Sequence, residues 1–237
     1  MELGEIISDA LVYPLHNIKA LVIYIILGII LGIAIAGTVS GIMFGNMAKN
    51  VFAVIGSGTI GIIISLIIGF VITGYELDIT KYGIEKRNDA PGIDLVRQFI
   101  NGVKYFVVNI VYMIIPIIIG AILALIFQHW LSGLISIILS IIFSFALMMG
   151  QCRLAKTEDL GYALSIGEAV GDLSKVGILK VIAFVILVVV ISFILLFVVG
   201  LIGQWNNVVG GILMGIVGVY LVFFNGRATG LLYSDVN

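Results

Sequence analysis

The sequence predicts an all-α integral membrane protein, and three observations lead to this class. Hydrophobic residues make up 62% of the 237 residues and charged residues only 11%, whereas a soluble domain is usually about 25% charged. The mean hydropathy of +1.28 is that of a chain that crosses a membrane. The apolar residues also form long continuous runs, unlike the alternating pattern of a transmembrane β-barrel.

The number of spans follows from four intervals free of Asp, Glu, Lys and Arg. These intervals cover residues 20–48, 50–75, 105–152 and 181–226. A hydrocarbon core of about 30 Å requires roughly 20 helical residues, so the shorter two suit one span each and the longer two suit a pair. Polar turns near residues 45–50, 128–133 and 203–207 separate the paired spans. We therefore predict six helices, near residues 20–44, 51–74, 105–127, 133–151, 181–202 and 208–226.

Orientation follows from the basic residues. Of the 12 Lys and Arg residues, only Lys49 falls on the side of the three turns. The excess of positive charge on the other side predicts a cell-membrane protein with both termini in the cytoplasm. Trp130 and Trp205 then lie in the outer turns, at the depth that indole rings prefer.

A period of 76 residues predicts three repeats within one polytopic domain. Gly74, Gly150 and Gly226 recur at this spacing, each at the exit of a predicted span, and Lys104 corresponds to Lys180. Repeats of about residues 1–80, 81–157 and 158–237 would give three parallel helical hairpins around a pseudo-threefold axis along the membrane normal.

A short amphipathic segment precedes each hairpin. The segments lie near residues 5–17, 94–104 and 166–176, and in each the apolar residues recur at helical spacing opposite charged ones. They are too short and too charged to span, so we predict three interfacial helices on the cytoplasmic side. Breaks are expected at Asn17, at Asn101 with Gly102, and at Gly177.

Small residues at four-residue spacing predict close contacts between helices, because helices in lipid associate through close packing rather than through the hydrophobic effect. The candidate packing residues are Gly28, Gly32, Gly61, Gly69, Ser136, Ser140 and Gly215. The serines stand in a ladder that could instead line a polar pathway, and the sequence leaves both interpretations open.

The sequence carries no recognisable catalytic or cofactor motif. The chain has no phosphate-binding glycine loop, no zinc-ligand spacing and no nucleophile motif. A net charge of −1 gives no basis for nucleic-acid binding. We therefore expect no cofactor, no metal and no enzyme, with a carboxylate pair at the inner face as the remaining exception. The absence of charge within the six predicted spans also argues against an ion-coupled pump.

One stretch carries a resemblance to a known family. The sequence GYELDITKYG at residues 74–83, the lone Pro91, and DLVRQFINGVKYFVVNIVYMIIP at residues 94–116 resemble the archaeal membrane family filed as domain of unknown function 4013. Ala90 stands before Pro91 where the family usually has leucine. The resemblance covers nearly the whole chain and implies an archaeal, methanogen-type membrane protein. It implies no activity.

Two functions are compatible with these features. The first is a non-enzymatic membrane module that contacts lipid or protein partners at the inner leaflet, including other copies of itself. The alternative is a facilitative carrier or channel for a small neutral or amphiphilic solute along the threefold axis. Lys19, Lys104 and Lys180 stand where each hairpin enters the membrane. They either mark orientation only or also contact lipid headgroups.

Overall fold

The computed structural model describes residues 1–126, 130–205 and 207–236, and these residues form nine helices. The side chains of residues 207 and 208 are outside this description. The helices are α1 Leu3–His16, α2 Ile18–Met47, α3 Val51–Ile84, α4 Leu95–Ile126, α5 Trp130–Thr157, α6 Leu160–Ala163, α7 Ile166–Val176, α8 Ile178–Trp205 and α9 Asn207–Tyr233.

Six of these helices are long and apolar enough to cross a membrane, which confirms a multi-pass helical protein. All six are longer than predicted: α4 begins ten residues before its predicted start, and α3, α5 and α9 end later than predicted. They continue past Gly74, Gly150 and Gly226, where the sequence predicted the spans to end. Charged residues after these glycines are therefore helical, because tertiary contacts hold the added turns. Residues 127–129 and 206, which belong to two predicted turns, lie outside the described residues.

The amphipathic segments follow two patterns. The first and third form separate helices, α1 and α7, which end at the expected breaks Asn17 and Gly177. Gly177 has φ 97°, a left-handed conformation that suits glycine. The second segment is not separate, and the break expected at Asn101 and Gly102 is wrong. Both residues lie inside α4, because Gly102 packs directly against the backbone of Phe70 in α3.

The helices pack as three hairpins, α2 with α3, α4 with α5, and α8 with α9. The second helices of the hairpins, α3, α5 and α9, also contact one another. Helix α1 lies on α9, and α7 lies on α5. We call the end that holds the termini and the loops 85–94 and 158–165 the polar end, and the opposite end the turn end.

Most of the buried core lies towards the polar end. Leu77, Cys152, Phe224, Ala228 and Tyr233 are buried together there. Near the turn end the apolar side chains are largely exposed, as at the aromatic residues Phe44, Phe52 and Trp205. An exposed apolar surface of this kind is the one that a membrane would cover.

Glycine contacts show how the two ends differ. Near the turn end they join the two helices of one hairpin, as where Gly45 of α2 meets Val54 of α3. Towards the polar end several of them join different hairpins. A Cβ at Gly28 of α2 would lie 2.6 Å from Cγ2 of Val219 in α9. The hairpins are therefore held together mainly through their polar halves.

Candidate functional site

An apolar groove runs between the first hairpin and the start of α4. Its volume is about 350 Å³. We call it the α2–α4 groove, and it is lined by Leu27, Ile67, Ile68, Val71, Leu95, Val96 and Phe99. The amphipathic start of α4 forms one wall, because its apolar face turns towards α2 and α3 while Arg97 and Gln98 turn towards the polar end. Such a groove has the lining of an apolar ligand site.

A buried hydrogen-bond network closes the groove towards the polar end. The hydroxyl of Tyr24 donates to Oε1 of Gln98 at 2.5 Å, and Nε2 of Gln98 donates to Oδ2 of Asp78 at 3.1 Å. Arg97 also donates to that carboxylate, at 2.8 Å. Tyr24 stacks on Tyr75 with ring centroids 3.9 Å apart. The network ties α2, α3 and α4 together, and shared partners make such networks rigid.

Glu158 extends this network to the end of α5. Its carboxylate accepts from Arg97 at 3.0 Å and from Asn101 at 3.1 Å, and its main-chain carbonyl accepts from Lys104 at 2.8 Å. Burial acts to raise the pKa of Glu158, but the hydrogen bond from Asn101 and the charges of Arg97 and Lys81 outweigh it. The pKa is therefore held below its usual value, and the ionised form stabilises the link.

Arg153 is the centre of a second charged cluster. Its side chain is only 3% exposed, and it donates to Asp172 of α7 at 2.9 Å. It also pairs with Glu168, donates to the carbonyl of Tyr162 and lies 3.7 Å from the centre of the Tyr162 ring. The carboxylates of Glu168 and Asp172 thus meet at the polar end. Such a pair is the one feature that, from the sequence, would favour an enzyme. Arg153 pairs with both, and Lys175 also pairs with Asp172 at 3.0 Å, which is the arrangement of an ion-pair cluster.

Arg227 forms the third cluster and joins the two ends of the chain. It pairs with Asp9 of α1, with Nε 2.6 Å from Oδ1. It also donates to Oδ1 of Asn88 at 2.7 Å and to the carbonyl of Arg87. Its side chain is 2% exposed, so every one of these contacts replaces water that burial removed.

The three lysines predicted to contact lipid differ in their surroundings. Lys104 donates to the carbonyl of Glu158, and Lys180 pairs with Asp235 at 2.7 Å. Lys19 is exposed, and no ion pair or hydrogen bond reaches its side chain from the described residues. The three lysines hold equivalent positions in the sequence but have different surroundings. Among the described residues, no acceptor like those of Glu158 and Asp235 lies beside Lys19.

Only some of the predicted packing residues lie in contacts between helices. Gly28 and Gly215 meet at the α2–α9 contact, and Gly61 lies against Thr38 of α2. Gly32 and Gly69 face open space.

In the serine ladder, a Cβ at Gly120 of α4 would lie 2.9 Å from Oγ of Ser136, so Ser136 lies in a helix contact. Ser136 and Ser140 each donate to the carbonyl four residues earlier, at 2.7 and 2.8 Å. Ser140 is on a more exposed part of the helix. These contacts favour packing over a polar path for Ser136.

Sequence reasoning missed the buried charges because it ended the spans at the repeated glycines. Asp78, Arg153 and Arg227 follow these glycines by one to four residues, and the 76-residue period was the one signal that pointed to them. Among the described residues, no group of three or more His, Cys, Asp or Glu side chains could hold a metal ion. His129 lies outside those residues.

Comparison with known proteins gives one match. The family model described as a protein of unknown function, DUF4013, matches residues 58–204, from within α3 to the end of α8. No curated protein and no solved structure matches the chain. The matched part contains the second hairpin, the α7 helix and the charged clusters of Asp78 and Arg153. Because the model covers more than half of the chain, the protein belongs to the DUF4013 family.

Proposed function

We propose that the protein is a non-enzymatic membrane module that holds a lipid hydrocarbon chain in the α2–α4 groove. The observation that carries this proposal is the groove itself. All of its lining side chains are apolar, and its three walls belong to α2, α3 and α4, which are each long and apolar enough to cross a membrane. The hydrocarbon chain of a lipid is the apolar ligand available at that depth in every membrane.

Lys19 is the residue proposed to meet the headgroup. It precedes Leu27 by eight residues on α2, or about 12 Å along a helix, in the direction of the polar end. A free lysine near an anionic headgroup contributes about 1 kcal/mol and extends from the helix to reach it. Lys104 and Lys180, which have partners within the protein, are assigned to holding the polar end together.

The filled core at the polar end supports a module over a carrier. Leu77, Cys152, Phe224 and Ala228 come from the three contacting helices and are all buried. A solute path along the predicted axis would have to pass among these side chains. Apolar packing at this level favours a fixed bundle.

We also propose that the three hairpins are repeats of one unit, joined to one another by ion pairs. Each ion-pair cluster joins the end of one hairpin to the segment that begins the next: Asp78 with Arg97, Arg153 with Asp172, and Arg227 with Asp9. The first two pairs have the same separation of 19 residues along the chain. A cytoplasmic position of the polar end and an archaeal origin remain predictions from the sequence.

Lipid retained through purification tests the proposal. Ile67→Trp places a bulky ring in the groove and should lower the amount of lipid per protein measured by mass spectrometry. Ile117→Trp, at an exposed apolar position of α4 outside the groove, should leave it unchanged. Lys19→Gln should shift the retained lipid away from anionic classes, and Lys49→Gln at the turn end should not. Equal retention and equal headgroup composition in all four variants would contradict the proposal.

A further inference from the structure

A small polar cavity, which we call the α5–α7 cavity, lies at the polar end between the end of α5 and one face of α7. Its volume is about 250 Å³, below the roughly 300–1,000 Å³ of pockets that take drug-sized ligands. Successive turns of α7 line it with Glu168, with Gly171 and Asp172, and with Lys175. The cavity shares no lining residue with the α2–α4 groove, so it is a second candidate site and its test is independent of the lipid-chain proposal.

Arg153 lines the cavity from α5 and keeps part of its hydrogen-bonding capacity. Its side chain is 3% exposed. A guanidinium group has five N–H donors, and three of them are used, by the carbonyl of Tyr162 and by the carboxylates of Asp172 and Glu168. The described residues therefore leave two N–H groups of a buried arginine without an acceptor.

Two lysines add further donors to the same cavity. Lys156 follows Arg153 by three residues, on the same face of α5. It is exposed, and no ion pair or hydrogen bond reaches its ammonium group from the described residues. Lys175 donates to Asp172 at 3.0 Å, and this contact uses one of its three N–H donors. Unused donors are thus available from both α5 and α7.

The charges that line the cavity do not balance. Arg153, Lys156 and Lys175 are three cations, whereas Glu168 and Asp172 are two carboxylates. Asp172 accepts from both Arg153 and Lys175, and Glu168 accepts from Arg153. One positive charge therefore remains without a counter-charge from the cavity, and it belongs to Lys156. A site with excess positive charge and unused donors suits an anion.

We propose that the α5–α7 cavity binds a phosphate group through Lys156, Lys175 and the unused N–H groups of Arg153. The oxygens of a phosphate accept hydrogen bonds in several directions, so they can meet donors from two helices at once, and lysine and arginine are side chains that proteins use for this purpose. Helix α8, which is long and apolar enough to cross a membrane, begins two residues after the end of α7. The phosphate can therefore belong to a lipid headgroup or be a free phosphate ion.

Thermal unfolding of the full-length protein in an uncharged detergent tests the site and separates the two sources, because a ligand that binds the folded state stabilises it. In the first arm, sodium phosphate replaces sodium chloride at neutral pH and constant ionic strength. In the second arm, dihexanoyl phosphatidylglycerol is added, and dihexanoyl phosphatidylcholine is the matched lipid without net charge. A saturable rise of the melting temperature in the first arm identifies a site for free phosphate. A saturable rise with phosphatidylglycerol alone identifies a headgroup site.

Two pairs of variants assign this rise to the cavity. Lys156→Gln removes the uncompensated charge and should weaken binding at least about tenfold, whereas Lys86→Gln, in the loop after α3, should not. Gly171→Glu places a carboxylate at the cavity and should abolish the rise. Gly167→Glu adds the same charge one turn earlier in α7, outside the cavity lining, and should keep it. A Cβ meets open space at both glycines, and all four positions are exposed, so the variants should fold.

Three results would overturn the inference. The first is a parent whose melting temperature rises saturably in neither arm. A linear rise with phosphate that is the same in all variants belongs to this result, since phosphate stabilises proteins generally by its exclusion from their surface. The second is a Lys156→Gln or Gly171→Glu variant that responds as the parent does. The third is a Gly167→Glu variant that loses the response as fully as Gly171→Glu, which would show an effect of overall charge.

Discussion

The carboxylate of Asp172 holds several helices together at the polar end. It accepts from Tyr233 at 2.6 Å, from Arg153 at 2.9 Å and from Lys175 at 3.0 Å. Burial acts to raise the pKa of Asp172, but the hydrogen bonds from these three residues outweigh it and hold the pKa below its usual value. The ionised carboxylate thus links α7 to the ends of α5 and α9.

Replacing this carboxylate should destabilise the protein strongly. Because both Asp172 and Arg153 are only 3% exposed, Asp172→Asn leaves a buried arginine without its main partner, at a cost of about 3–5 kcal/mol. Thermal unfolding in detergent measures the loss. Asp89→Asn removes a carboxylate that pairs with Arg87 at the surface, and it should change the melting temperature little. A loss equal in the two variants would contradict the assigned role.

The lowered pKa also predicts how stability depends on pH. The folded pKa of Asp172 lies below the unfolded value of about 3.9. Its contribution is therefore complete above that value and is lost as the pH falls through the folded pKa. The melting temperature of the parent should fall steeply below about pH 4, and Asp172→Asn should show a smaller fall. The account would be wrong if the variant lost as much stability in acid as the parent.

At the scale of elements, the crossing of α3 and α4 depends on two glycines. A Cβ at Gly74 would overlap the main-chain carbonyl of Gln98, and a Cβ at Gly102 would overlap that of Phe70. The two backbones therefore touch at both points, and this contact brings Arg97 and Gln98 to Asp78. Small residues at helix crossings in membranes commonly allow such an approach.

Gly74→Ala should push the two helices apart and disturb the Gln98 network, with a loss on the order of 1–3 kcal/mol from overpacking. Gly69→Ala, in the same helix but facing open space, is the matched control. It should be neutral or slightly stabilising, since alanine favours a helix over glycine by about 1 kcal/mol. The melting temperatures of the two variants measure this difference. A Gly74→Ala protein as stable as the parent would contradict the close approach of α3 and α4.

The sequence predicted the number and order of the spans because long uncharged runs have one common cause, the thickness of the hydrocarbon core. It failed at the polar ends of α3, α5 and α9. There Asp78, Arg153 and Arg227 are charged, and a pattern based on hydrophobicity treats charge as solvent-exposed. Their burial depends on partners 19 or more residues away. The α2–α4 groove was missed for a similar reason, because it exists only where α2, α3 and α4 meet.

In the molecule as a whole, packing is densest at the polar end and sparse near the turns. The buried residues concentrate at the polar end, while apolar side chains near the turns are exposed. The N-terminal amine and Lys180 both pair with Asp235, at 3.3 and 2.7 Å. The N-terminal and C-terminal residues therefore pack together at the polar end. Their contacts stabilise the ends of the hairpins.

Orientation of this packed unit can be measured with thiol labelling. Cys152 is buried, so it should react little with the thiol reagent. Ala48→Cys, in the turn between α2 and α3, should react with an impermeant thiol reagent added outside intact cells. Glu85→Cys, in the loop after α3, should react only after the cells are opened. The reverse pattern would place the polar end outside the cell.

Fluorescence quenching by brominated lipid tests the central claim, the lipid-binding groove, most directly. In a background with Trp130→Phe and Trp205→Phe, a single tryptophan is placed at Val96, in the groove, or at Ile117, on the exposed face of α4. The proteins are placed in bilayers that contain a small fraction of dibrominated anionic lipid. If the groove binds lipid, the tryptophan at position 96 should be quenched at a lower fraction of brominated lipid than the tryptophan at position 117. Identical quenching curves at the two positions would show that the groove holds lipid no differently from the rest of the membrane-facing surface, and would contradict the account.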